Sequence, residues 1–297
     1  VSAPALHKPT LFAILVELAV CVAAIALTLT YWHWYTVLPA MALLATRQHA
    51  LFILFHDAVH YNVARDHRLN DALTNLLIGV PQLVPVQLYR RLHLAHHARL
   101  GTPADPERLL LYRDQPWHYQ PLGATALARQ LLGDLLMLNN LRTLFHFQRE
   151  LRDPDSLLAL PSARTWPEFY ATVVLWAGAY VAWCLIDPTN AGRFALLWVV
   201  PLLTLTQAIQ KVRSFAEHGP MTSENPPPER FTDQTELTYS WRPGLFGRLV
   251  LWPYHINYHR EHHVHPRIPW YDLPRSFPEA AQRPGRSLAR LLWNGRG

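Results

Sequence analysis

Charge is what this sequence has least of. Asp, Glu, Lys and Arg make up 16% of its 297 residues, where an average globular protein carries about 25%. Hydrophobic residues make up 50%. That balance argues against a fully solvated surface and for a membrane protein. Lysine is almost missing: only Lys8 and Lys211 occur, so the net charge of +6 rests on arginine. No recognition motif accompanies that charge, which argues against nucleic acid as a partner and fits the positive-inside rule and anionic lipid. Cysteine is nearly missing too. Cys21 and Cys184 stand in separate apolar runs and no C-x-x-C occurs, which argues against a disulfide framework, a thiolate zinc site or an iron–sulfur cluster. There is no internal repeat.

Long apolar runs are what the sequence does have. Residues 11–30, 35–56, 168–186 and 193–211 are each close to the ~20 residues that a bilayer crossing needs. The first shows no small-residue cleavage pattern, so it is expected to be a span rather than a signal peptide. Arg47, Gln48 and His49 lie in the second half of the second run, which should therefore face protein rather than lipid. Residues 72–88 are apolar but short and hold Pro81 and Pro85. They predict a re-entrant segment, because proline removes a donor and bends a helix. Its Leu76, Val80, Leu83 and Val84 are candidate walls for an alkyl chain. The hairpin between the last two spans is read as Asp187 to Gly192. Ten arginines fall between Tyr89 and Trp166, and none falls in the turns 31–34 and 187–192. That arginine-rich stretch is thus expected on the cytoplasmic side. Residues 123–152 predict an amphipathic helix lying on the membrane or on the cap, and Asn225-Pro-Pro-Pro228 is a loop breaker. The expected architecture is an all-α membrane protein forming a single domain over 1–297. It has about four transmembrane helices, the re-entrant segment, and a cytoplasmic histidine-rich cap made of 89–166 and 212–297.

Histidine is clustered where these apolar runs end. The clusters are His56-Asp-Ala-Val-His60, His93-Leu-Ala-His96-His97 and His259-Arg-Glu-His262-His263, with His218 alone after the last span. On a helix, positions i, i+3 and i+4 share a face, so each cluster aims its rings one way. A neutral imidazole is the commonest ligand for zinc, copper, iron or nickel. Nine imidazoles are too many for one ion and about right for two. A lone histidine is ordinarily a solvated or hydrogen-bonded residue, and His7, His33, His49, His67, His118 and His146 are read so. His265 is intermediate, and His255, four residues before His259, is a candidate outer group. Asp57, Glu217, Glu261 and Asn257 are candidates to hold the second ring nitrogens. Structural zinc sites favour cysteine, and copper electron-transfer sites need one. The residues by themselves leave iron and zinc open.

The pattern resembles the integral-membrane fatty acid desaturase and hydroxylase superfamily. His56 to His60 followed by Arg68-Leu-Asn-Asp71 is similar to the first histidine box and its sequel. Tyr89-Arg-Arg-Leu-His93-Leu-Ala-His96-His97 with Gly101-Thr-Pro-Ala-Asp-Pro106 is similar to the second. Arg213-Ser-Phe-Ala-Glu-His218 resembles the separate histidine after the last span. Asn257-Tyr-His259-Arg-Glu-His262-His263 with Pro269-Trp-Tyr-Asp-Leu-Pro274 resembles the third box and its tail. Val264-His265-Pro266 departs from the apolar pair common in bacterial members. The likeness runs from about Ala45 to Pro274. It implies two iron ions held by His56, His60, His93, His96, His97, His218, His259, His262 and His263, with dioxygen as co-substrate. It also implies a fatty-acyl or other lipid substrate in a bacterial inner membrane and a double bond as product. The alternative within the superfamily is hydroxylation or ketolation of a lipid, carotenoid or alkane. A metal-binding or transport protein ranks lower, since transporters place ligands near the midplane and often show inverted repeats. No haem, flavin or iron–sulfur motif is present, so electrons would come from a separate donor such as a ferredoxin or a cytochrome.

Overall fold

A computed structural model describes residues 6–100, 102, 105–107, 124–153, 155, 156, 159, 166–218 and 237–282. His118 and the Asn225 loop breaker lie outside the described residues, as does most of 101–123. The helices in chain order are α1 (Lys8–Thr30), α2 (Trp34–Ala58), α3 (His67–Thr74), α4 (Val86–Arg99), α5 (Ala124–Leu135) and α6 (Leu138–Arg152). They continue as α7 (Pro167–Ile186), α8 (Pro188–Leu203), α9 (Leu205–His218), α10 (Leu245–Val250), α11 (His259–Val264) and α12 (Leu273–Ser276). Among the described residues the one β feature is an isolated bridge between Leu6 and Ala64. Among the described residues four stretches are long and apolar enough to cross a membrane: α1, α2, α7, and Pro188–His218, which comprises α8 and α9. The chain is an all-α membrane protein. It falls into two compact units, one of residues 1–89 and 160–206, the other of 90–159 and 207–297.

The first unit holds the spans. At 1.5 Å per residue α1 rises about 35 Å, enough for a hydrocarbon core of about 30 Å. Gln48 and His49 of α2 are buried, and Arg47 reaches Glu17 of α1 at 3.1 Å, so that half of α2 does face protein. Gln48 ties three segments together. Its side chain donates to Trp198 O at 2.8 Å and accepts from Thr206 Oγ1 at 2.9 Å, and its carbonyl accepts from Gln82 Nε2 at 2.8 Å. Trp198 in turn donates its indole N–H to Pro81 O at 2.7 Å.

The segment 72–88 is broken in the way its prolines require. Helix α3 passes into a π-turn at Asn75–Gly79, and Leu83 turns the chain with φ 63° before α4 begins. Asn75 Oδ1 accepts from Val86 N at 2.9 Å and closes the turn. Gly79 is required there, since a Cβ would stand 2.8 Å from both Asn75 Oδ1 and Val84 O. Leu76, Val80 and Val84 are half-buried, whereas Leu83 is 67% exposed.

Three details differ from the sequence reading. The turn expected at 187–192 is shorter, because Asp187 caps α8, accepting from Asn190 N at 3.1 Å, with Pro188 at the first helical position. The fourth span is two helices. Pro201 removes a donor, Thr204 leaves helical geometry at φ −123°, ψ −91°, and its hydroxyl bonds Val200 O at 2.7 Å. The amphipathic stretch at 123–152 is also two helices, α5 and α6, joined through a left-handed Met137 with φ 63°.

Candidate metal centre

The second unit gathers histidines from three elements. Helix α4 carries His93, His96 and His97; α11 carries His259, His262 and His263; and α9 ends on His218. The i, i+3, i+4 spacing puts three rings on one face of each of α4 and α11. His93, His97 and His262 place a ring nitrogen each within 4.8 Å of one another, and His96, His218 and His263 do the same. All six are buried. His97 Nε2 lies 2.8 Å from His93 Nε2. His259 Nε2 lies 3.0 Å from His218 Nε2 and 3.1 Å from His263 Nε2. Two ligands each about 2.1 Å from one ion, at a right angle, stand about 3.0 Å apart, so these spacings suit shared coordination. The His97 and His263 rings stack at 4.1 Å, joining the two groups. Every donor atom in both groups is an imidazole nitrogen, a set that suits iron, copper or zinc.

Carboxylates grip the far sides of these rings. His96 Nδ1 lies 2.9 and 3.0 Å from the two Asp105 oxygens, so it donates there and leaves Nε2 as the ligand atom. Glu107 stands 3.8 Å from His93 Nδ1 and 4.0 Å from His96 Nδ1. Glu217 Oε2 is 3.4 Å from His259 Nδ1 and is itself held by Arg213, four residues earlier on α9. Glu261 accepts from Ser240 Oγ, which also accepts from Arg260 N at 3.2 Å. Burial, then the positive charge of His218, holds His259 well below the ordinary imidazole range. Burial and His97 do the same to His263. Both are therefore neutral, the form that binds metal. Burial also pulls His96 down, but Asp105 and Glu107 outweigh it and push it up to about 9.

Seven of the nine expected histidines thus come together in the second unit. The other two, His56 and His60, lie in the first, at the end of α2, their rings 6.0 Å apart. Asp57 beside them accepts from Asn62 Nδ2 at 3.0 Å. Two expected outer groups do different work. Asn257 brackets Trp241, donating to its carbonyl and accepting from its N–H, both at 2.9 Å. Trp241 in turn donates its indole N–H to Ala216 O at 2.9 Å and stacks on Trp252, so Asn257 braces the walls of the site. His255, at φ 56°, packs its ring on Trp270 and Tyr258. Asp105 and Glu107 were not foreseen as partners of the rings. The signal was present in the acidic Asp-Pro-Glu that follows the second cluster.

Comparison with known proteins gives the site its context. The chain matches the family Fatty acid desaturase over residues 32–293. It is 26% identical to the dihydrorhizobitoxine desaturase of Bradyrhizobium elkanii over 287 residues, covering 92% of this chain and 76% of that protein. It is 26% identical to the ceramide hydroxylase of Caulobacter vibrioides, covering 68% and 61%. It is 25% identical to the beta-carotene 4-ketolase of Protosiphon botryoides, covering 82% and 52%. The chain therefore spans about three quarters of the first relative and between half and two thirds of the other two. Desaturase, hydroxylase and ketolase are all oxidoreductases, and with a match across most of its length the chain belongs to the fatty acid desaturase family.

Proposed function

We propose that this protein is a membrane di-iron enzyme that uses dioxygen to desaturate a fatty-acyl or other lipid chain. The observation that carries this reading is the pair of buried all-imidazole groups, His93, His97 and His262 beside His96, His218 and His263. We assign His259, His56 and His60 to the same ligand set, on their spacing and on the neutral imidazole that His259 presents. We read the chain as a single integral-membrane domain over 1–297. Two iron ions would supply the one-electron chemistry and dioxygen activation that no side chain provides. The protein's own part is positional. Asp105 fixes the tautomer of His96, and Glu217, held by Arg213, faces His259. Burial of the rings keeps bulk water from the reacting carbon. Desaturation removes two hydrogen atoms, that is two protons and two electrons, from the lipid chain. Dioxygen takes these with two further electrons and two protons, giving two waters. The further electrons come from a separate donor such as a ferredoxin or a cytochrome. The arginine-rich stretch 89–166 supports a cytoplasmic site in a bacterial inner membrane.

A second reading, insertion of oxygen by hydroxylation or ketolation, is favoured by the hydroxylase and ketolase among the relatives. Mass spectrometry of the lipids of an expressing host separates the two. Loss of two hydrogens supports desaturation, gain of oxygen supports the second reading, and unchanged lipids from iron-loaded, donor-supplied enzyme overturn both.

A further inference from the structure

The hairpin of α5 and α6 is built inside out. A helical hairpin packed on a water-soluble protein buries its apolar side and exposes its polar side. Here, among the described side chains of Ala124–Arg152, only Asp134 and Asn140 are buried. Leu132, Leu135, Leu136, Leu138, Leu141, Leu144 and Phe145 are exposed, Phe145 to 59%. The buried pair meets Lys211 of α9. Lys211 Nζ donates to Asp134 Oδ1 and, at 3.0 Å, to Asn140 Oδ1. Asn139 Nδ2 adds a bond to Asp134 Oδ1 at 3.0 Å and another to Gln130 O at 3.0 Å, closing the turn around Met137. The hairpin is thus moored by a charge, seven residues before His218, to the helix that ends the fourth apolar stretch.

Its exposed charges are of one sign. Arg129, Arg142, Arg149 and Arg152 all face out, and none makes an ion pair among the described residues. The two acids are taken up internally, Asp134 by Lys211 and Glu150 by Ser156 Oγ at 2.7 Å. Arg149 lies over the Phe145 ring at 5.2 Å, its guanidinium beside the apolar side. Seven exposed apolar side chains with arginines alongside match the boundary of a bilayer, where acyl chains meet anionic headgroups.

We propose that the α5–α6 hairpin is a lipid-binding anchor, its leucines and Phe145 seated in the acyl boundary and its arginines on anionic headgroups. A soluble partner would meet free arginines around the apolar side and require its own acidic rim; anionic headgroups over acyl chains offer both at once. The inference does not depend on which oxidation the enzyme performs, and its test needs neither substrate nor metal. The full chain, with Cys21→Ser and Cys184→Ser, is reconstituted in vesicles and spin-labelled at Leu141→Cys, Phe145→Cys or, as control, Asp155→Cys, an exposed polar position just past α6. Collision with oxygen, which concentrates in lipid, is compared with collision with a water-soluble nickel chelate. Labels at 141 and 145 are expected to favour oxygen several-fold over the label at 155. Replacing part of the phosphatidylcholine with phosphatidylglycerol should widen that ratio. Arg129→Gln, Arg142→Gln, Arg149→Gln and Arg152→Gln together should remove the lipid dependence while leaving the apolar preference. Equal exposure of all three labels to the chelate overturns the anchor. So does shielding of 141 and 145 from both reagents, which would mean that protein covers the face. A dependence on phosphatidylglycerol that survives the fourfold arginine variant overturns the headgroup assignment.

Discussion

The two units keep opposite interiors. Eight of the nine largest fully buried side chains lie in the first: Ile14, Leu44, Leu51, Ile53, Leu54, Phe55, Ile78 and Leu197. The second buries His93, His96, His97, His218, His259, His262 and His263 with Asp105, Glu217, Glu261, Arg213 and Lys211. An apolar interior is held by area removed from water. A polar interior is held by specific pairs, and each broken pair leaves a desolvated charge behind. Away from Gln48 and the assigned ligands His56 and His60, the first unit should therefore tolerate change gradually, whereas the second should fail at single atoms.

The hardest test of that contrast is ligand removal. His97→Ala or His263→Ala should abolish metal retention and lower turnover by more than about 100-fold, beyond the range usual for outer-sphere changes. Carbonate extraction should still find the protein in the membrane, since the spans are untouched. Loss of membrane insertion would mean that the units are not separable in this sense. Next in size is Asp105→Asn, which keeps shape but weakens the grip on His96 Nδ1. It should lower metal affinity about 10–100-fold by titration. Wild-type affinity would remove Asp105 from the site. In the first unit, Gln48→Leu removes the side-chain donor to Trp198 O and leaves Thr206 Oγ1 only its longer bond to Ala45 O at 3.3 Å. It should cost about 1–3 kcal/mol, read as an earlier thermal transition with metal content unchanged.

The smallest expected effect is on pH dependence of the metal-free form. His259 and His263 are depressed in the folded state, so the unfolded chain binds more protons. Their contribution is complete above the unfolded value of 6.5 and is lost as pH falls below it. His96 is raised to about 9, so its contribution is complete below 6.5 and is lost as pH rises toward 9. Stability of the second unit should then peak near pH 6.5, with arms on both sides that metal loading alters. A flat profile in the metal-free protein would argue that these rings are not enclosed.

What the sequence made legible was local. Two clusters at i, i+3, i+4 spacing are complete within one helix each, so six rings could be grouped before any contact was known. The α2 face around Arg47 and Gln48 was legible for the same reason. What stayed hidden depends on the path of the chain between elements. Asp105 reaches back nine residues across a turn to His96, and no periodicity marks that contact. The break at Thr204 follows from one lost donor at Pro201, which many membrane helices absorb without breaking. Amphipathicity showed that 123–152 has two sides. Which side turns inward was settled by Lys211, more than seventy residues away.

The all-imidazole donor set has a consequence for charge balance. Neutral ligands cancel nothing, so any dication seated there keeps its full charge inside a buried core. The countercharge must come from the carboxylates around the rings, Asp105, Glu107, Glu217 and Glu261, none of which supplies a donor atom to the two imidazole groups. Held one bond away, they would balance such ions without occupying a coordination position, which would leave room for a small molecule. Such a core would trade firm retention of metal for reactivity, and any metal it held should be easier to strip with a chelator than one ligated by carboxylate directly.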